Sequence, residues 1–197
     1  MPDLIKHNGL ILTEEDFNSF LPDYLKRASR IFFTPVRMAQ TASQWLVEDG
    51  RKTVLDIGAG VGKFCITGAL QNNSLYCGIE YRKSLAQIGS RIITQNKIQN
   101  ATVLYGDIID VDFVNFDAFY LYNPFYENLL YASRLNNEVE LKESFYDRYL
   151  KYTEDQLDKT KPGTRLVTYH GNNFEIPASF KKVRESGNRL LKLWIRQ

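Results

Sequence analysis

The chain has 197 residues, of which 44% are hydrophobic and 24% charged, and its formal net charge is +2. This length suits a single domain with a substantial core, and so small a net charge gives no reason to expect a polyanionic partner. No apolar run is long enough to cross a membrane, and residues 1–7 carry no secretory signal. Cys65 and Cys77 lie in apolar segments and read as reduced core thiols. We therefore expect a cytoplasmic protein with no membrane partner, disulfide or metal.

Two helical segments are predicted ahead of the first strand. The first spans residues 13–30, has three acids in its first turn, and is broken or restarted at Pro22. The second has Thr34 as its N-cap and Pro35 in the first helical position. Its apolar residues recur at helical spacing until Gly50 stops the helix.

Residues 53–64 predict a strand, a tight glycine turn and a helix. The alternating glycines Gly58, Gly60 and Gly62 allow the backbone to approach a ligand closely, and the first N–H groups of the following helix face the turn. Their spacing matches neither the dinucleotide fingerprint nor the P-loop. Asp56 ends the strand, where its carboxylate would repel a diphosphate and attract an ammonium group. The pattern favours a ligand with a positively charged amino-acid end.

The sequence VLDIGAGVG at residues 54–62 resembles the first motif of class I S-adenosylmethionine-dependent methyltransferases. The resemblance implies a Rossmann-like α/β fold: a mostly parallel sheet of about seven strands, ending in an antiparallel hairpin, with helices on both faces. It assigns residues 34–197 to the cofactor-binding domain and leaves residues 1–33 as an N-terminal helical extension. It also implies S-adenosyl-L-methionine as cofactor, S-adenosyl-L-homocysteine as product, and these cofactor-binding residues: Asp56, Gly58, Gly60 and Gly62. A structural glycine turn in another α/β protein is the alternative.

In that family, a lead-in segment such as this one packs over the cofactor. The turn at residues 34–37 is therefore expected near the methionine carboxylate of the cofactor, with Arg37 as a partner. Plain packing with a solvent-facing arginine is an equal alternative.

Acids also follow the next two strands. Glu80 ends the second strand, where Rossmann-type folds place the carboxylate that binds ribose hydroxyls; an acid at a helix N-terminus is the alternative. Tyr81 either covers the adenine or flanks the turn. After the third strand, residues 102–105, the resemblance implies that Asp107 meets the adenine amino group and that Ile108 lines the ring.

The fourth strand, residues 117–122, runs directly into Asn123-Pro124-Phe125-Tyr126. In open α/β sheets, ligands bind beyond the carboxyl ends of the strands. The tetrapeptide resembles the Asn-Pro-Pro-aromatic motif of amino-methylating enzymes, which implies catalytic roles for all four residues and a cofactor contact for Asn123. Its single proline departs from that motif, and it is also similar to the Asn-Asn-Phe-type turn of non-SET protein-lysine methyltransferases. An ordinary Asn-Pro turn is the alternative.

The last third of the chain is predicted to complete the fold. Residues 127–160 are expected to form two helices, with a break at Asn136-Asn137. Residues 164–169 form a fifth strand, and His170 at its carboxyl end is either structural or an acceptor-site group. The nine residues after His170 leave no room for a full crossover helix, and residues 180–196 read as a β-hairpin.

Together these patterns predict methyl transfer to a nitrogen acceptor, with a protein side chain or small-molecule amine slightly ahead of nucleic acid. Residues 26–37 and 181–197 are rich in Lys and Arg, but such runs more often mark a solvated face than a nucleic-acid contact. A module that binds S-adenosylmethionine without turnover is the main rival, and a nicotinamide oxidoreductase is a distant third. The sequence shows no unambiguous general base.

Overall fold

The structure, a computed structural model, describes residues 12–130, 134–170 and 176–197. Its α-helices are α1 (Glu14–Asn18), α2 (Asp23–Phe32), α3 (Val36–Val47), α4 (Lys63–Gln71), α5 (Lys83–Gln95) and α6 (Glu143–Leu157). Its strands are β1 (Thr53–Ile57), β2 (Leu75–Glu80), β3 (Ala101–Tyr105), β4 (Ala118–Leu121), β5 (Arg165–Tyr169), β6 (Phe180–Glu185) and β7 (Leu191–Arg196).

The seven strands form one sheet in the order β3-β2-β1-β4-β5-β7-β6. The first five strands along the chain are mutually parallel, whereas β7 runs antiparallel to both β5 and β6. The chain reverses direction along the sheet after β3, so that β1 and β4 lie side by side. This arrangement confirms the predicted Rossmann-like sheet with its C-terminal antiparallel hairpin.

Helices cover both faces of the sheet, which explains why every residue of β4 is buried. On one face, α3 and α4 pack against the sheet, and the ring of Phe64 stacks on Tyr120 with centroids 4.0 Å apart. On the other face, Leu157 from α6 joins Leu55 and Phe119 in a second apolar cluster. Burial on two faces accounts for the nearly continuous apolar runs of the central strands.

The N-terminal helices belong to the same core as the glycine turn. Phe17, Leu21 and Leu25 are buried in one cluster with Val61 and Leu85. Helix α1 begins with a capping box in which the Thr13 hydroxyl accepts from a backbone N–H of the first turn. The predicted break at Pro22 is confirmed, since the proline directly precedes α2.

The predicted N-cap of α3 is wrong. The helix begins at Val36, and Thr34 lies one residue too early to cap it, with its hydroxyl 2.8 Å from the hydroxyl of Tyr120. The backbone N–H of Val36 donates instead to the carboxylate of Glu14, at 2.9 Å. The carboxylate of Glu14, which is distant in the sequence, therefore accepts the hydrogen bond from the start of the helix that the sequence pattern had assigned to Thr34.

The prediction of two helices within residues 127–160 is also wrong for the part that the structure describes. A short 3₁₀ turn at Tyr126–Asn128 and the single helix α6 flank residues 134–142, which are irregular. The Asn136 side chain accepts from the N–H of Glu138, whose carboxylate binds the N–H and hydroxyl of Ser84 at the start of α5. Side-chain bonds of this kind compete with helix formation.

Some sequence-based expectations fall partly outside the described residues. These are the absence of a signal in residues 1–7 and the short connection after β5, of which residues 171–175 are not described. Cys65 and Cys77 are both free; Cys65 is buried and Cys77 is half-buried. None of the helices in the described ranges combines the length and apolar character needed to span a bilayer.

Candidate active site

A cavity of about 390 Å³ lies at the carboxyl ends of β1 to β5. Eleven of the sequence-predicted site residues line it: Asp56, Gly58, Gly60, Glu80, Tyr81, Asp107, Ile108, Asn123, Pro124, Phe125 and Tyr126. Gly62 and Arg37 do not. The parallel strands thus bring five separate chain segments to one edge of the sheet.

The three glycines of the turn have left-handed backbones, with φ of 74° at Gly58, 57° at Gly60 and 72° at Gly62. A Cβ at Gly58 would lie 2.7 Å from the Cβ of Pro124. A Cβ at Gly60 would lie 3.1 Å from the ring of Phe33, whereas one at Gly62 would overlap the side chain of Val103. The missing side chains at Gly58 and Gly60 therefore let Pro124 and Phe33 approach the turn without filling the cavity. Gly62 instead allows α4 to pack closely against β3.

Asp56 projects from the end of β1 into the cavity and is only 4% exposed. Burial raises the pKa of its carboxyl to about 7, and the nearby Glu80 carboxylate adds to the rise. The thiol of Cys65 is a weak donor at 3.5 Å and opposes it only in part. A ligand ammonium placed here would supply the positive charge that this carboxylate lacks, so the site fits the amino-acid end of the predicted cofactor.

Glu80 holds the glycine turn and the start of α5 together. One carboxylate oxygen accepts from the N–H of Gly60 at 2.8 Å and the other from the N–H of Arg82 at 2.7 Å. Burial raises the pKa of Glu80 despite these two bonds. Each carboxylate oxygen can accept a second hydrogen bond. Both interpretations of this acid therefore fit one geometry: it organises a helix start, and it can still receive ribose hydroxyls.

Asp107 caps a 3₁₀ turn by accepting from the N–H of Ile109, and it accepts a 3.2 Å hydrogen bond from the hydroxyl of Tyr149. Burial first, and then the Asp107 charge, raises the pKa of Tyr149 to about 12. The Tyr149 ring stacks against Phe125, with centroids 5.3 Å apart. Phe125 is thereby buried against α6, so this ring packs within the wall and does not stand free for an acceptor.

The segment after β4 has an irregular backbone, with φ of +40° at Asn123. The Asn123 carbonyl accepts from the N–H of Tyr126 at 3.2 Å, which closes the turn. The Asn123 side chain is exposed. Tyr126 is 37% exposed and lies on the cavity lining. Asn123 and Tyr126 therefore present side chains at the cavity, while Pro124 abuts the glycine turn.

Sequence reasoning missed several lining residues from distant segments: Phe33, Lys63, Tyr120, Tyr122 and Tyr149. Thr34, from the turn expected near the methionine carboxylate, does line the cavity. Lys63 is buried at the first position of α4, pairs with Glu14, and lies 3.2 Å from the hydroxyl of Ser29. Burial lowers the pKa of the Lys63 ammonium. Arg37, by contrast, is exposed and is not among the lining residues. Of the missed residues, only Tyr149 belonged to an apolar pattern identified in the sequence, and that pattern could not show what its ring contacts.

Within the described ranges, no group of three or more His, Cys, Asp or Glu side chains is arranged to hold a metal ion. The polar groups at the cavity are carboxylates, phenols, two amides, a hydroxyl, an ammonium, a guanidinium and an imidazole.

No protein-family model and no curated protein sequence matches this chain. Solved structures do match it. An RNA methyltransferase from Salinibacter ruber, in complex with S-adenosyl-L-homocysteine, is 18% identical with a TM-score of 0.51, over 81% of this chain and 86% of that one. TrmN from Thermus thermophilus is 17% identical with a TM-score of 0.60, over 89% of this chain and 52% of that one. The [4+2]-cyclase SpnF is 16% identical with a TM-score of 0.56, over 79% and 62%. The chain therefore has the Rossmann-like fold of class I S-adenosylmethionine-dependent methyltransferases, as predicted.

Proposed function

We propose that this protein transfers a methyl group from S-adenosylmethionine to a nitrogen acceptor, with a protein side chain or small-molecule amine ahead of nucleic acid. The observation that carries the proposal is the direct contact between the glycine turn and the acceptor turn. Gly58 faces Pro124 so closely that no Cβ fits between them. The segment proposed to hold the cofactor and the segment proposed to hold the acceptor thus meet in one cavity.

The cofactor would contribute a methyl group on a positively charged sulfur, and the protein would hold it at three points. Asp56 receives the ammonium group, Glu80 receives the ribose hydroxyls, and Asp107 with Ile108 receives the adenine. The turn residues Gly58 and Gly60 leave room between these points. We further propose that residues 34–197 form the cofactor-binding domain and that residues 1–33 are an extension to it.

On the acceptor side, Asn123 and Pro124 would orient the nucleophile. The side-chain oxygen of Asn123 and the carbonyl oxygen of Pro124 accept hydrogen bonds from the target nitrogen, which aims its lone pair at the methyl carbon. Holding two reactants in line is the main contribution that a protein can make to such a displacement. Tyr126 is exposed enough to pack on the acceptor.

Asn123→Ala is expected to leave the Kd for S-adenosylhomocysteine within about threefold of wild type and to lower the transfer rate by about 100-fold, because the side chain mainly orients the acceptor. Asn115→Ala, at the opposite end of β4, is the matched control and should alter neither value. Binding is measured by calorimetry and transfer by label from methyl-labelled cofactor. Full turnover in Asn123→Ala would make the turn purely structural.

The acceptor class is tested by incubating the wild-type protein with methyl-labelled S-adenosylmethionine and a cell extract freed of small molecules. Protein, nucleic acid and metabolite fractions are then supplied one at a time. Label in protein or in amines supports the favoured acceptors. Label in RNA or DNA would favour the second candidate, for which the exposed Arg27 and Arg30 on α2 are suitably placed, since Ile31 of the same helix lines the cavity.

A cofactor-binding module without turnover is the rival from another class. The fold alone does not decide between them, since one of the structural neighbours is a cyclase. Binding of S-adenosylhomocysteine with no label in any fraction would favour the module. If the protein did not bind S-adenosylhomocysteine at all, both the methyltransferase and the binding-module hypotheses would be wrong.

A further inference from the structure

His170 and Asn123 occupy equivalent positions at the ends of neighbouring strands. In the parallel pairing of β4 with β5, the last recorded pair is Leu121 with Thr168. Asn123 and His170 lie just beyond these strand ends, each two residues after a member of this pair. The rings of Tyr122 and Tyr169, one step before them, are 4.9 Å apart, so the side chains of the two segments remain in contact beyond the paired residues. Both Asn123 and His170 line the cavity.

Both residues also have a left-handed backbone, with φ of 40° at Asn123 and 61° at His170. Among the non-glycine residues that the structure describes, only Lys97 and Arg189 share this feature. Lys97 directly follows the end of α5, and Arg189 lies in the hairpin turn between β6 and β7, where such a backbone is ordinary. A left-handed backbone is strained for most residues other than glycine, and such strain clusters at functional sites.

The imidazole of His170 is exposed at the cavity and rests on two phenols. Its centroid lies 4.5 Å from that of Tyr169 and 5.7 Å from that of Tyr122. Burial raises the pKa of both tyrosines, so both stay neutral near neutral pH. The Tyr122 hydroxyl is already committed as a donor to the carbonyl of Ile31, at 3.0 Å. Within the described ranges, this imidazole forms no ion pair and no side-chain hydrogen bond, and it lines the cavity where a ligand can reach it.

We propose that His170 accepts the proton that the target nitrogen must lose, an inference that rests on the proposed methyl transfer. The nitrogen lone pair forms the bond to the methyl carbon, and the electrons of the breaking carbon–sulfur bond return to sulfur. As this bond forms, one N–H proton of the target nitrogen passes to a ring nitrogen of His170, which releases it to solvent, so that no positive charge accumulates on the target nitrogen. Asn123 orients the acceptor from one strand end and His170 deprotonates it from the next. Histidine suits this task because imidazole changes charge between about pH 5 and 8.

Two substitutions at His170 distinguish the loss of the imidazole as a base from an effect on the left-handed backbone. Glycine tolerates a positive φ without strain, so His170→Gly should fold and leave an open place for free imidazole. Asparagine tolerates the same backbone but cannot take a proton near neutral pH, so His170→Asn is the matched control. Transfer is measured in the fraction that the wild-type protein labels, at saturating cofactor, so that titration of Asp56 does not limit the rate.

We expect both variants to bind S-adenosylhomocysteine within about threefold of wild type and to transfer methyl about 100-fold more slowly, since general bases typically contribute factors of this size. Added imidazole should restore the His170→Gly rate at least about tenfold, with the restored rate rising with pH as imidazole loses its proton, and should leave His170→Asn slow.

A wild-type rate in His170→Asn would overturn the inference, because that variant carries no base at this position. So would a failure of imidazole to restore His170→Gly while its cofactor binding is intact. Either of those results leaves the proposed methyl transfer standing. A wild-type protein that binds S-adenosylhomocysteine but labels no fraction removes the proposed function, and this inference with it.

Discussion

Asp56→Asn is expected to abolish cofactor binding and, at the same time, to make the free protein more stable at about pH 8. The two effects have one cause. The carboxyl of Asp56 is buried without a cation among the described residues, and its pKa is raised from 3.8 to about 7. At about pH 8 the folded protein must hold this group charged in an apolar setting. The ammonium group of a bound cofactor would offset the cost of burying this charge. The uncharged amide of Asp56→Asn does not carry that cost.

The sign of the pH dependence follows from the direction of the shift. Because the pKa is higher in the folded state than in the unfolded state, the folded state binds the proton more tightly. The stability from this group is fully present below about pH 4 and is lost as the pH rises through about 7. The shift corresponds to on the order of 4 kcal/mol. In thermal unfolding, the advantage of Asp56→Asn over wild type should therefore grow from about pH 4 to about pH 8.

The pH dependence of cofactor affinity should also reflect ionisation of the Asp56 carboxyl. The wild-type affinity for S-adenosylhomocysteine should rise with pH up to about 7, with proton release on binding at lower pH, because the ammonium pairs only with the ionised carboxylate. In Asp56→Asn the affinity should fall by about 100-fold or more, the usual cost of leaving a desolvated charge unpaired. Calorimetry in buffers of different ionisation enthalpy measures both quantities.

Asp117 provides the control, since it lies at the opposite end of the β1–β4 pair. Burial alone would raise its pKa, but hydrogen bonds from Lys161 and from the N–H of Thr53 hold it below the ordinary value. Asp117→Asn should therefore lose stability at about pH 8, leaving cofactor affinity unchanged. Unchanged affinity in Asp56→Asn would remove the basis for placing the ammonium at β1.

The sequence located the cavity because its main features are local and repeated. A strand followed by an acid or a glycine turn is readable in a few residues, and parallel strands necessarily bring their carboxyl ends to one edge. Asp56, Glu80, Asp107 and Asn123 were each identified in this way, and the structure places all four on one cavity.

The sequence failed where a residue's role depends on a distant partner. Nothing near Tyr149 shows that its hydroxyl reaches Asp107, and nothing near Lys63 shows that it meets Glu14. Distant partners also explain why residues 134–142 are irregular. Their polar groups bind Arg82 and Ser84 at the start of α5, whereas local pattern favoured a helix. Tertiary hydrogen bonds outweighed local propensity at each of these points.

Gly58→Ala should lower both cofactor affinity and the rate of methyl transfer, because the added methyl would lie 2.7 Å from the Cβ of Pro124 and 3.3 Å from its Cα. The turn cannot yield easily, since φ is 74° and the N–H of Gly58 is bonded to the carbonyl of Ile79. Pro124 must move, and the acceptor turn with it. We expect about 100-fold loss in binding or transfer, and a stability loss of about 2–4 kcal/mol from strain and overpacking.

Gly62→Ala separates this contact from backbone strain. Its φ of 72° is nearly the same, and its methyl would collide with Val103, away from the cavity lining. It should lose stability to a similar degree while the folded fraction, assayed at low temperature, keeps its cofactor affinity within about threefold. Gly187→Ala, with open space around the added methyl, controls for substitution alone. Equal loss of affinity in Gly58→Ala and Gly62→Ala would mean that strain in the turn, and not its contact with Pro124, determines binding. A selective loss in Gly58→Ala would show that the cofactor and acceptor segments act through the surface they share.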